Sequence, residues 1–267
     1  MKTAAIALCV AASILAAGAV AAQELPTEIQ ARGTLRIGTS LAGIPWSFFD
    51  ADHKATGIDV EFCTDLASRL GLEPDYVQLE FQSLIPALQA NRIDIACSGV
   101  FITPERQEVV DLHPYITTSM AILTREEDVD LVKEAGDLCG KNVSALQGSS
   151  QLKTVTEMGE ACVSDGKPEI TISAFQTQPL ALQELRNDRV DAFVASDQLA
   201  GFYATQEVGL AKALTGINPV LVGVATSKAS PEFGGVVGSL VAEMVAEDTY
   251  RTFLQKWNVE SAAYTPQ

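Results

Sequence analysis

The chain has 267 residues, of which 47% are hydrophobic and 19% charged. That is enough apolar material for one large core or for two lobes, and it excludes a disordered chain. A formal net charge of -16 opposes nucleic acid and anionic lipid as partners.

The N-terminus reads as a leader. Lys2 precedes the apolar run "AAIALCVAASILAAGAVAA", which ends in small residues before the polar "QELPTE". This is the pattern of a secretory signal peptide over residues 1–22, with cleavage after Ala22. Cys9 follows Leu8 and lies too early for a lipoprotein site. No later stretch is apolar enough to span a bilayer, so the mature protein is expected to be soluble and exported. Export favours disulfides among the four remaining cysteines. Cys139 and Cys162 flank one strand–helix unit and are assigned a bridge. Cys63 and Cys97 either pair or sit as small core residues, and two buried thiols are the expectation.

Strands and helices then alternate. "TLRIGTS" reads as a strand. "GIDVEFCTDLASRLG" puts Val60, Cys63, Leu66, Ala67 and Leu70 on one helical face, with Asp59 as N-cap and Gly71 as the stop. "DYVQLEF" is a strand, "SLIPALQAN" a short helix and "RIDIACSG" a strand. This order predicts a mainly parallel sheet with helices on its faces. The pattern restarts with the strands "SMAILTR" and "KNVSALQ" and the helix "SSQLKTVTEMGEACV". "EITISAF" and "VDAFVAS" are strands that alternate with the helices "PLALQELRND" and "QLAGFYATQEV". "VLVGVATSK" is the last strand, and helices follow from about Pro231 to Trp257. Pattern alone leaves open whether this last portion returns to the first unit.

Little in the chain points to catalysis. His53 and His113 lie far apart, in segments read as polar loops. There is no HExxH, no CxxC and no metal-spaced cluster, and "QGSSQ" is not a nucleophile elbow. No cofactor or metal is expected. "SGVFITPERQ" is more informative. Thr103 is a good N-cap and Pro104 fits the first helical position. Arg106 then falls in the first turn, where the helix dipole disfavours a cation. The helix itself gives no reason for it.

The segments "GTLRIGTS", "GIPWSFFD", "GIDVEFCTDLASRLG" and "LIPALQANRIDIACSGVFITPERQEVVDLHPY" resemble the extracellular solute-binding proteins of the polar amino-acid ABC transporters. "LCGKNVSALQGSSQ", "ALQELRNDRVDAFVASD" and "FLQKWN" continue the likeness over almost the whole mature chain. The resemblance implies an α/β, two-lobed periplasmic binding protein-like fold with two hinge strands and a ligand cleft between lobes. Lobe 1 would hold residues 30–117 plus 222–267. Lobe 2, with the hinge strands, would hold 118–221. It further implies a periplasmic, monomeric protein that captures a small carboxylate ligand and works with an inner-membrane ABC permease and ATPase.

The same likeness assigns roles. Arg106 would hold the ligand's carboxylate through paired hydrogen bonds. Ser149 and Ser150, at a helix start, would close on it from lobe 2. Phe81 would stack on the ligand's apolar part, and Ser98 and Gly99 would face it. The chain also departs from the family. Gly43 stands where an aromatic is usual, and Phe101 where a Ser or Thr helps to hold an ammonium. Ser196 stands where an aspartate is usual, with Asp197 one step later. Either the ligand lacks a free α-amine, or Asp197 supplies the charge by a one-residue shift. Phe101 would occupy the volume left by Gly43 and keep an aromatic wall in place, with Trp46 contributing to the site or packing in the core. An enzyme of cyclohexadienyl dehydratase type is the alternative, and it would need Asp197 or Glu105 as the general acid. A sensor or accessory protein that binds no transported ligand is a third reading.

Overall fold

The computed structural model describes residues 25–206 and 208–266. The leader and its cleavage point lie outside them. Ten strands are present among the described residues: β1 (Thr34–Thr39), β2 (Phe48–Phe49), β3 (Ala55–Thr56), β4 (Glu73–Gln78), β5 (Ile95–Ala96), β6 (Val110–Arg125), β7 (Asn142–Leu146), β8 (Thr171–Phe175), β9 (Ala192–Ser196) and β10 (Leu210–Ser227). Eight of them form one sheet in the order β4-β1-β5-β10-β6-β9-β7-β8, and β2 and β3 form a small hairpin.

The sheet has three parts. β4, β1 and β5 are mutually parallel at one end, and β9, β7 and β8 at the other. Between them runs an antiparallel pair, β6 with β10. These two strands have 16 and 18 residues. At about 3.3 Å per residue either can cross two lobes. The sheet is thus parallel within each lobe, as the alternating pattern predicts, and antiparallel only where the connecting strands pass. Register shifts lie between Lys212 and Leu214, Leu214 and Ile217, and Ile217 and Val220. Broken pairing there gives a place to bend.

The end of the chain returns to the first lobe. Ala225 and Thr226 pair with Ala96 and Ile95 of β5. The Pro231–Ala246 helix packs on β6 and on the Ile58–Arg69 helix. Arg69 holds the Glu247 carboxylate with two nitrogens, and Lys256 meets Glu61 at 2.6 Å.

Several expectations need correction. Asp59 does not cap its helix. Gly57 is the N-cap, and Asp59 sits inside the first turn with 1% exposure. Its Oδ1 accepts a hydrogen bond from the Tyr115 hydroxyl. His113 is not in a loop but on β6, where it meets Thr226 Oγ1 at 2.9 Å. Cys63 and Cys97 are bridged rather than free, joining the first-lobe helix to the end of β5. Cys139 and Cys162 are bridged as expected.

Candidate functional site

After β5 the chain turns at Ser98-Gly99, where Gly99 has φ +59°. Phe101 then bridges to Val222 of β10 and is buried. Thr103 caps the short Pro104–Val109 helix through a 3.4 Å contact from the Arg106 amide. Arg106 is thereby turned back toward the sheet. Its Nη1 donates to Phe101 O at 2.9 Å and its Nη2 to Gly148 O at 3.4 Å. Its guanidinium carbon lies 5.4 Å from the Phe81 ring centroid, within cation–π range. Burial draws its pKa down to about 10. Among the described residues no carboxylate pairs with it. A half-buried guanidinium bonded only to carbonyls and a ring face can still take an anion.

The second lobe supplies the facing wall. β7 ends at Leu146, Gly148 takes φ +73°, and Ser149 caps the Ser150–Ser164 helix by accepting from Leu152 N at 3.1 Å. The free amides of that helix start lie next in sequence to Gly148, whose carbonyl touches Arg106. Further contacts cross between the lobes. Lys153 Nζ meets Glu105 at 2.8 Å, and Gln82 Nε2 donates to Gln176 Oε1 at 2.8 Å. The ion pair holds the Glu105 carboxyl down to about 2.

Trp46 is buried where the lobes meet. Its ring lies against Gly99, where an added Cβ would come within 3.3 Å. Its Nε1 donates to Ser196 Oγ at 2.8 Å, and both side chains are buried. Trp46 therefore packs in the core and also spans the lobes. Ser98 Oγ bonds within its own lobe, to Ser40 N and Ser40 Oγ at 3.0 Å each. Asp197 opens the helix after Ser196, but its Oδ1 accepts from Lys212 Nζ at 2.9 Å and from Thr215. Behind Gly99, burial raises the Asp59 carboxyl to about 7 against the pull of the Tyr115 hydroxyl and the Gly99 amide.

The structure thus gathers Arg106, Phe81, Gly99, Phe101, Trp46 and Ser196 with the Gly148-Ser149 turn. It leaves the Asp197 carboxylate tied to the hinge strand β10. It also shows residues that sequence reasoning missed. A cavity of about 270 Å³ straddles the lobes, lined by Ser40, Gln78, Glu80, Gln176, Thr177 and Gln178 among others. Gln178 fills the space in front of Gly43, so that a Cβ there would lie 2.6 Å from Gln178 Oε1. That oxygen is buried without a hydrogen-bond partner. Phe101 does not take up the space left by Gly43; a second-lobe side chain does. "QTQP" after a strand signals a helix start, and nothing in it says what the start faces.

Comparison with known proteins gives the family. The profile of the bacterial extracellular solute-binding proteins, family 3, matches residues 35–260. The L-cystine-binding protein TcyJ of Escherichia coli K12 is 28% identical over 236 residues, covering 87% of this chain and 85% of that protein. The L-arginine-binding protein of Pseudomonas aeruginosa is 28% identical over 255 residues, covering 92% and 95%. The solved structure of an ancestral amino acid-binding protein, described as a precursor of cyclohexadienyl dehydratase, is 32% identical with a TM-score of 0.78, covering 86% of this chain and 98% of that one. The chain belongs to the bacterial extracellular solute-binding proteins of family 3.

Proposed function

We propose that this protein is the ligand-capturing component of an ABC importer, holding a small carboxylate, either a polar amino acid or a related or substituted acid. The observation that carries the reading is Arg106, a half-buried guanidinium at the seam between the lobes with no acidic partner among the described residues. The ligand carboxylate takes the guanidinium and the amides at the start of the Ser150–Ser164 helix, with Phe81 and Trp46 as ring walls. Closure of residues 118–221 on residues 30–117 and 222–267 forms the surface that an inner-membrane permease and its ATPase recognise. The leader over residues 1–22 delivers a monomer to the periplasm. The amino acids named for its relatives support this ligand class.

The dehydratase alternative asks for a poised acid. Glu105 is held at about 2 by Lys153, and Asp197 is engaged by Lys212. The lowered pKa of Glu105 does not favour proton donation at neutral pH. The test is a thermal-shift screen of amino acids and small organic acids against the wild type and Arg106→Ala. A ligand selective for the folded state raises the wild-type melting temperature. The reading expects that rise to vanish in the variant; an equal rise in both would refute it.

A further inference from the structure

We propose that the cavity between the lobes takes the far end of the ligand, and that Glu80 and Gln178 select there for a cationic hydrogen-bond donor, an ammonium or a guanidinium. This rests on the capture reading, in which Arg106 holds the ligand's carboxylate, and goes further by naming the residues that read its other end.

The first argument is place. The cavity of about 270 Å³ is walled by Ser40, Gln78 and Glu80 from the first lobe and by Gln176, Thr177 and Gln178 from the second. Glu80 directly precedes Phe81, whose ring centroid is 5.4 Å from the Arg106 guanidinium carbon. In the second lobe Leu146 also lines the cavity, two residues before Gly148, whose carbonyl accepts from Arg106. Two residues span at most about 7 Å, so the cavity adjoins the anchor on both lobes. Gln82 Nε2 ties the two walls together, donating to Glu80 Oε2 at 3.1 Å and to Gln176 Oε1 at 2.8 Å. A group seated here touches both lobes and favours their closed arrangement.

The second argument is charge. Among the described residues Glu80 is the one charged side chain that lines the cavity, and no lysine or arginine is paired with it. It is exposed at the mouth, so water solvates it in the empty protein. A ligand entering the cavity removes part of that water. A cation compensates for the loss, whereas a second carboxylate would meet Glu80 with like charge. The Gln178–Arg186 helix starts at this wall, and a helix start ordinarily favours an anion. Here Pro179 carries no N–H, and the Leu180 amide is taken by Thr177 Oγ1 at 3.4 Å. This start therefore has little to offer an anion.

The third argument is Gln178 itself. Its Oε1 is buried without a hydrogen-bond partner, a state that costs free energy until a donor arrives. The terminal amide torsion of glutamine is soft, so the oxygen can turn to a donor in the cavity that its own side chain lines. Gly43 makes room for this residue, because a Cβ there would lie 2.6 Å from Gln178 Oε1. The aromatic that is usual at that position would displace Gln178. The chain has exchanged a first-lobe ring for a second-lobe acceptor beside a carboxylate.

The experiment is calorimetric titration with amino acids that share their α-groups and differ at the far end: arginine, lysine, citrulline, norvaline and glutamate. The proteins are the wild type, Glu80→Gln and Gln178→Leu, each checked for a cooperative melting transition. In the wild type, arginine or lysine is expected to bind tightest and glutamate at least about tenfold more weakly. Glu80→Gln is expected to cut the preference for arginine over citrulline roughly fivefold, as for an ion pair near the surface. Gln178→Leu is expected to weaken arginine and citrulline together relative to norvaline, because both lose an acceptor. Glutamate binding as tightly as arginine overturns the proposal, and so does an arginine-to-citrulline ratio that Glu80→Gln leaves unchanged. If the binding that remains still falls in Arg106→Ala, the carboxylate anchor stands and only the cavity assignment is lost. If no member of the series binds, the proposal is overturned, and the thermal-shift screen of the Arg106 variant decides the anchor separately.

Discussion

The Trp46 indole nitrogen donates to Ser196 Oγ across 150 residues of chain at 2.8 Å, with both side chains buried. This bond ties the first-lobe loop before β2 to the end of β9 in the second lobe. It shapes the cleft and also sets which hydrogen-bonding role Ser196 has left. Trp46→Phe keeps most of the ring and deletes the donor. A net hydrogen bond of this kind is worth about 0.5–1.5 kcal/mol. Urea denaturation is expected to show a loss of that size; an unchanged midpoint would mean that the bond adds nothing net.

Gly148 faces Gln82 across the cleft. An alanine there would place its Cβ 2.7 Å from Gln82 Cβ, at a backbone φ of +73°. The left-handed conformation alone costs a non-glycine residue roughly 1–2 kcal/mol. The clash adds to this only when the lobes approach. Gly148→Ala is expected to weaken ligand binding more than it lowers the stability of the empty protein. Calorimetry alongside denaturation tests this, and equal losses in both would count against closure at this point.

The disulfides close loops with sequence separations of 34 and 23. In the chain-entropy account, loops of that length stabilise by about 3–4 kcal/mol each. Replacing Cys63 and Cys97 together by alanine is expected to cost stability on that scale in equilibrium unfolding. A loss below about 1 kcal/mol would show that the reduced chain is already constrained there.

Asp59 makes stability pH-dependent. Burial raises its folded-state pKa from 3.8 to about 7, so the fold favours the neutral acid. That contribution is fully present below the ordinary carboxylate range. It is lost as pH rises toward about 7 and then levels off, with a slope of at most roughly 1.4 kcal/mol per pH unit. Asp59→Asn carries no such proton. Across that window the wild type is expected to lose stability relative to the variant. Parallel curves would show that Asp59 ionises without penalty.

What was legible in the sequence was local. Thr103 and Pro104 announce a helix start within four residues, and the helix forms there. Gly71 stops its helix with φ +70°. The alternation of strands and helices carried the parallel halves of the sheet. What was hidden depends on contacts between distant segments. Asp59 looks like a cap by position, and only the fold shows Tyr115 waiting above it. β5 has two residues, too short for a pattern to tell that Cys97 meets Cys63. Gln178 in front of Gly43 is a relation between lobes, and nothing local encodes it.

The most direct test of the account is the affinity of Arg106→Ala for the tightest-binding acid of the wild-type panel, measured by calorimetry. Losing a charge-assisted hydrogen bond costs about 1.5–3 kcal/mol, which is roughly a tenfold to hundredfold weaker affinity. The account predicts a loss at least that large, with the empty variant still folding cooperatively. Unchanged affinity would contradict it, because the ligand would then be held without the half-buried Arg106 at the seam.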